Sequence, residues 1–176
     1  NDTTEPNVNV VLFQGLPKAD KMELIIQKSV ELGANAIIPV AMKRCVVKID
    51  SKDESKKIAR WQKIAESAAK QSGRNTIPEI KNIVYIEKIT KLIKDYDIVI
   101  VAYENEKNNT IKHELVSLKG HIRLSDKIKI AVIVGPEGGL EEKDVEILKQ
   151  NGATIVTLGN RLLSTETGAL NVLSII

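Results

Sequence analysis

Cysteine is nearly absent: Cys45 is the only one in 176 residues. It cannot form a disulfide within the chain, and a lone Cys with two His cannot build a zinc site. A packing role for Cys45 and a reducing, cytoplasmic compartment are expected. No metal is expected. Aromatic residues make up 3% of the chain, which argues against the base-stacking platforms of RRM and OB folds. No apolar run approaches the roughly 20 residues that span a bilayer. Residues 1–9 are polar and acidic, without the basic and apolar regions of a secretory signal. The Walker A sequence and the dinucleotide Gly-x-Gly-x-x-Gly spacing are both missing. His113-Glu114 begins like a zinc-protease helix, but Ser117 stands where the second His is required. Neither His113 nor His121 is given a catalytic role.

What remains has a globular composition, with 43% hydrophobic and 28% charged residues, and a length suited to one domain. The chain starts at Asn1 and stops at Ile176 inside an apolar helical run, so a longer parent protein is expected. Net charge is +3 but unevenly placed. Residues 43–81 hold eleven Lys and Arg against five Asp and Glu. Such a segment can bind a polyanion such as nucleic acid, or can simply be a solvated helix face.

Ile- and Val-rich runs alternate with amphipathic ones. Strands are predicted at 8–13, 36–40, 97–103, 127–134 and 153–158, with a short extended piece at 77–81. Helices are predicted from Asp20 to Gly33, from Ser51 to Gly73, and over 85–94, 110–118, 140–151 and 165–176. Asp20 with Glu23, and Ser51 with Glu54, have capping-box spacing. This order implies an α/β fold, a largely parallel sheet with helices on both faces. Ligands of such sheets bind beyond the carboxyl ends of the strands, which singles out the loops 103–109, 135–139 and 158–164.

The middle loop is Gly135-Pro136-Glu137-Gly138-Gly139. Its glycines permit unusual backbone angles and close approach of a ligand to the main chain. A tight structural turn fits those residues equally well. In the last loop, Ser164 or Thr165 can cap the final helix, and Glu166 suits its dipole. Arg161 lies among Gly and Leu, where it either pairs with a carboxylate or recognises a phosphate or base. At the end of the basic helix, Arg74 can touch a phosphate and Gln71 a base edge. Alternatively, Arg74 serves the helix C-terminus.

Several motifs in this order resemble the 16S ribosomal RNA uracil-N3 methyltransferases of the trefoil-knotted SPOUT class. They are Lys21-Met22-Glu23 with Gln27 to Gly33, Arg44-Cys45, Trp61 to Ala65, Gln71 to Arg74 with Pro78, Gly135 to Gly139, and Leu158-Gly159-x-Arg161-x-Leu163-x-Thr165-Glu166-Thr167. The resemblance covers nearly the whole chain. It implies a C-terminal knot, which periodicity alone never indicates, and S-adenosylmethionine bound against the three loops. Its cofactor residues would be Tyr103, Glu104, Gly135, Pro136, Glu137, Gly138, Gly139, Leu158, Gly159, Leu162, Leu163 and Thr167. Lys21, Arg44, Gln71 and Arg74 would contact RNA. The partners implied are small-subunit ribosomal RNA and a second copy of the chain, with the last helix at the homodimer interface.

By the same resemblance, uracil N3 attacks the sulfonium methyl in line. Arg161 would stabilise the developing uracil anion, and Glu166 would handle the proton or hold Arg161. Two departures stand out. Ser164 occupies a position where the family often has a second Arg, and Gly168 one where it has Ala or Thr. The family's N-terminal PUA-like domain is not in this sequence. Residues 1–7 would be its linker remnant, 8–176 the methyltransferase domain, and the last helix truncated. The alternatives are another knotted methyltransferase acting on a ribose 2′-hydroxyl or a tRNA base, and a non-catalytic RNA-binding module.

Overall fold

Six successive residues from Val10 to Gly15 are buried. A strand without a solvent-facing side belongs in the interior of a sheet covered on both faces. The computed structural model describes residues 8–44, 49–110, 112–114, 116, 127–157 and 173–174. Its elements run β1 (Val8–Gly15), α1 (Lys21–Glu31), β2 (Ala36–Ala41), α2 (Ser51–Gln71), β3 (Glu79–Ile80), β4 (Val84–Tyr85) and α3 (Ile86–Leu92). After one 3-10 turn (Ile93–Asp95) come β5 (Ile98–Ala102), β6 (Ile128–Val134), α4 (Glu142–Gln150) and β7 (Thr154–Val156).

The strand order is β3-β2-β1-β6-β5-β7, with β4 also paired to β2. Every pairing among these strands is parallel. The expected α/β architecture is therefore what the chain adopts. Successive side chains of a strand face opposite ways, and each sheet face has its own core. Val10, Leu12, Ile130 and Val132 pack beneath α1 and α2 against Met22, Ile25, Ile26, Trp61 and Ala65. Val11, Phe13, Ala131 and Ile133 pack beneath α3 and α4 against Ile86, Ile89, Val145 and Leu148.

At eleven residues, α1 is too short to hold together alone. Burial of Met22, Ile25, Ile26 and Val30 contributes about 1.5–3 kcal/mol each and supplies what propensity lacks.

Local details depart from the sequence expectation where tertiary partners compete. Asp20 precedes α1, but its side chain caps nothing. The cap of α2 is Asp50, whose carboxylate accepts from Lys52 N, and not Ser51. Glu54 is drawn away to accept the Ile83 amide at 3.1 Å, so no box closes at either helix. The helix expected over 85–94 ends at Leu92 and tightens into the 3-10 turn. Over 110–118, residues 112–114 and 116 are helical. Cys45, His121 and the knotted segment expected within 158–176 lie outside the described residues, apart from Leu173 and Ser174. Leu173 is buried in the first core.

Candidate active site

Parallel strands all finish at one side of the sheet. The register sets Gln14 level with Val134, Val134 with Ala102, and Ala102 with Val156. On the other flank, Gly15 is level with Val40. From β1 the chain turns outward to β2, whereas from β6 it goes past β5 to β7. Connections that diverge in this way leave a crevice between the two strand ends, here β1 and β6.

That crevice is lined by backbone. Gly15 ends β1 so close to the glycine loop that an added Cβ would lie 2.6 Å from Pro136 Cδ and 2.7 Å from Pro136 N. At Gly135, a Cβ would meet the Gly139 carbonyl carbon and the Leu140 nitrogen at 3.0 Å. The loop closes by a turn in which Gly139 N donates to Pro136 O at 2.8 Å. Gly139 has a φ of +74°, a conformation that side chains other than Gly resist. Beneath it, the fully buried Gln14 donates through Nε2 to Gly15 O at 3.0 Å and to Gly135 O at 3.5 Å. One carboxamide thus ties the end of β1 to the start of the loop.

Charged side chains brace the loop from outside. Glu137 accepts the Lys18 amide at 2.8 Å and lies 3.6 Å from Lys21 Nζ. It anchors the turn into α1, where Ala19 has the strained φ of +47°. Arg44 donates to Gly138 O at 3.1 Å, with its Cβ against the Gly138 backbone. Glu104 Oε1 stands 2.7 Å from where a Gly139 Cβ would be. The 103–109 loop therefore touches the glycine loop.

Tyr103 is half-buried on the second core, and its amide donates to Val156 O. The rest of this loop is tied to the end of β7. Asn109 Nδ2 donates to Ile155 O at 3.1 Å, and Thr157 N to Asn109 O at 2.7 Å. Glu106 accepts the Asn108 and Asn109 amides. Its carboxyl is held below the usual range, mainly by the Asn108 amide, with the Asn109 and Lys107 amides and the Lys149 charge adding to it.

Tyr103, Glu104, Gly135, Pro136, Glu137, Gly138 and Gly139 are thus gathered at one end, with Lys21 and Arg44 beside them. Glu137 is committed to Lys18 and Lys21, so within this loop its carboxylate serves as a brace. Gln71 and Arg74 are elsewhere, at the far end of α2. Gln71 is exposed. Arg74 donates to Val30 O, which also accepts the Gly33 amide, and to Ala34 O, both at the end of α1. The helix it serves is α1, not the one it follows. Leu158, Gly159, Arg161, Leu162, Leu163, Ser164, Glu166, Thr167 and Gly168 lie outside the described residues.

The sequence reading passed over Gln14 and Gly15. Gln14 is the one polar residue in the buried run from Val10 to Gly15, and that is a legible signal. Gly15 could be flagged as a strand-end glycine, but its contact with Pro136 spans 121 residues of chain and could not.

Four glycines leave the main-chain groups of this cradle without side chains at this end of the sheet, where a ligand can approach the backbone closely. A Cβ at Gly15, Gly135 or Gly139 would come within 3.0 Å of the protein's own neighbouring atoms, so the glycines also let the strand end, the glycine loop and Glu104 pack together. Among the described residues, no cluster of His, Cys, Asp and Glu could hold a metal ion.

Residues 4–176 match the RNA methyltransferase domain family. The ribosomal RNA small subunit methyltransferase E of Bacillus subtilis is 40% identical, over 100% of this chain and 68% of its own. A methyltransferase of Legionella pneumophila, solved with the cofactor SAM, superposes with a TM-score of 0.82 at 32% identity, covering 98% of this chain and 66% of that one. The ribosomal RNA small subunit methyltransferase E of Neisseria gonorrhoeae, bound to S-adenosyl methionine, gives 0.78 at 35%, covering 98% and 67%. The chain therefore spans about two thirds of the length of these relatives.

Proposed function

Because the chain belongs to the RNA methyltransferase domain family, we propose that it methylates N3 of a uridine in small-subunit ribosomal RNA with S-adenosylmethionine as donor. The observation that supports this reading is the glycine-rich backbone gathered at the carboxyl ends of β1 and β6, where Gly15, the Gly135 to Gly139 loop and Glu104 meet. Relatives of the same fold at 32% and 35% identity hold the donor.

S-adenosylmethionine supplies an electrophilic methyl group. The glycine loop and the Tyr103–Glu104 loop form two walls of its site. Leu158, Gly159, Leu162, Leu163 and Thr167, in the segment expected to thread the knot, form the third. The protein's main task is positioning, since holding reactants in line removes much of the entropic barrier. Uracil N3 is protonated at neutral pH and must lose that proton as it attacks. Arg161 stabilises the negative charge that develops on the base, and Glu166 takes the proton or orients Arg161. Lys21 and Arg44 stand at the rim of the cradle, where a phosphate can approach. Residues 165–176, expected from the sequence to form the last helix, pair two copies as a homodimer. Among the described residues no helix is long and apolar enough to cross a membrane, and a cytoplasmic location suits a ribosomal substrate.

The test is methylation of small ribosomal subunits, read as modified nucleosides by mass spectrometry. The expected product is 3-methyluridine. A methylated ribose, or no transfer by a folded protein that binds the donor, refutes the function. Native rates for both Arg161→Ala and Glu166→Gln refute the roles given to those residues.

A further inference from the structure

We propose that the outward face of α2 is a phosphate track, a second RNA contact that leads away from the donor cradle. The proposal rests on the reading of the chain as an RNA-modifying protein.

Lys56, Arg60, Lys63 and Lys70 are spaced by four, three and seven residues, which puts them on one side of a helix. All four are exposed. The opposite side buries Trp61, Ala65, Ala68 and Ala69 against the sheet. At 1.5 Å per residue, the stripe from Lys56 to Lys70 is about 21 Å long. The loop before α2 leaves the carboxyl end of β2 and carries Arg44, whose guanidinium lies on Gly138. Arg60 pairs with Glu23, two residues from the Lys21 that lies against Glu137, and past the end of α2 Arg74 reaches Val30 and Ala34, so the stripe passes the start of α1 beside the glycine loop and runs toward the amino ends of the strands.

Helix stability accounts for these charges only in part: Asp53 and Glu66 are spaced to offset Lys56, Lys63 and Lys70, and Lys70 suits the last turn. Lys52, Lys56 and Arg60 follow one another at intervals of four, a like-charge spacing that weakens a helix by about 0.2–0.5 kcal/mol per pair. Of the four stripe residues, only Arg60 has an ion pair among the described residues, with Glu23 of α1. Glu54, which could have offset them, is turned inward to the Ile83 amide.

Where the stripe passes α1, the two helices leave an open groove of about 370 Å³, in which Gln27, Ser67 and Gln71 stand beside Arg60 and Lys63. Neutral donors beside cations suit phosphate and ribose oxygens. No aromatic residue lines the groove, so the track grips backbone without stacking on bases. An acidic protein segment could satisfy the same lysines; membership in an RNA methyltransferase domain family favours RNA as the occupant.

The experiment replaces Lys56, Lys63 and Lys70 together by Ala, and in a second variant by Arg. Affinity for a small-subunit ribosomal RNA fragment is measured against salt concentration, without turnover. Each phosphate neutralised contributes about 0.7–0.9 to the slope of log affinity against log salt. The Ala variant should lose about two to three from that slope and bind at least about tenfold more weakly near 0.1 M salt. The Arg variant should keep both. Donor affinity and melting temperature should match the native protein in each variant. An Ala variant with native slope and affinity overturns the track, as does a polyglutamate peptide that displaces RNA from the native stripe at equal charge. Native protein that binds RNA with the full slope yet transfers no methyl refutes the proposed function and leaves the track standing.

Discussion

Replacing Gly15 by Ala isolates the contact on which the cradle depends. Gly15 is not in the left-handed region, so an added methyl costs nothing in backbone conformation. Its whole effect is steric. The new Cβ would lie 2.6 Å from Pro136 Cδ, 2.7 Å from Pro136 N and 2.9 Å from Met42 Sδ, where ordinary contact begins at 3.4 Å. Met42 can turn its thioether aside. Pro136 cannot, because one clashing atom is backbone and the other closes a ring. The strand and the glycine loop must therefore part by about 0.8 Å. Overpacking of this kind costs about 1–3 kcal/mol, which for a chain of this length lowers the melting temperature by roughly 2–12 °C. The displacement falls on the loop proposed to hold the donor. Calorimetry should therefore show at least about a tenfold loss of S-adenosylmethionine affinity, equivalent to about 1.4 kcal/mol. Gly33→Ala is the control. It has a φ of +102° and nothing within 4 Å of its Cβ, so it should lose stability while keeping donor affinity. If Gly15→Ala binds donor as tightly as the native protein, the close approach does not shape the site.

Gly139→Ala should destabilise by about 1–2 kcal/mol from its left-handed backbone. Glu104 can swing its exposed carboxylate away, so adding Glu104→Ala should recover little in urea denaturation. Full recovery would show that the clash dominates. Arg74→Ala removes the side-chain donor from the Ala34 carbonyl and one of two donors from the Val30 carbonyl and should cost about 1–3 kcal/mol in urea denaturation, with donor affinity unchanged. A fall in RNA affinity at native stability would instead make Arg74 an RNA ligand only. The pH behaviour of the 103–109 loop follows from Glu106, whose folded pKa is lowered. Its stabilisation is complete above the ordinary carboxylate value of about 4.3 and is lost as pH falls through the lower folded value. Protection of the Asn108 and Asn109 amides against hydrogen exchange should fall across that window, and Glu106→Gln should flatten the change.

Much of the fold was written in local pattern. β5 is an Ile and Val run ending in Ala102, β1 and β6 are largely apolar, and such runs between amphipathic helices leave few architectures besides a covered parallel sheet. Gly33, Gly73 and Gly152 close their helices with positive φ, as their positions after apolar stripes imply. The caps were misjudged because Ser51-x-x-Glu54 is a local signal, and Glu54 had a nonlocal competitor in the Ile83 amide. The glycine loop was visible as a loop, and its neighbours were not.

By itself, the sequence determined the alternation of the main described strands and helices, the basic stripe of α2 and the family resemblance, though it assigned Tyr85 of β4 to the helix that follows. Hydrophobic period, charge and motif are properties of neighbours along a chain. Only the tertiary structure decided that Gly15 meets Pro136, that Gln14 ties β1 to Gly135, that Arg74 serves α1, and that Glu104 reaches Gly139. Each of these joins residues brought together by parallel pairing or helix packing, and partners so distant in sequence leave no periodic trace.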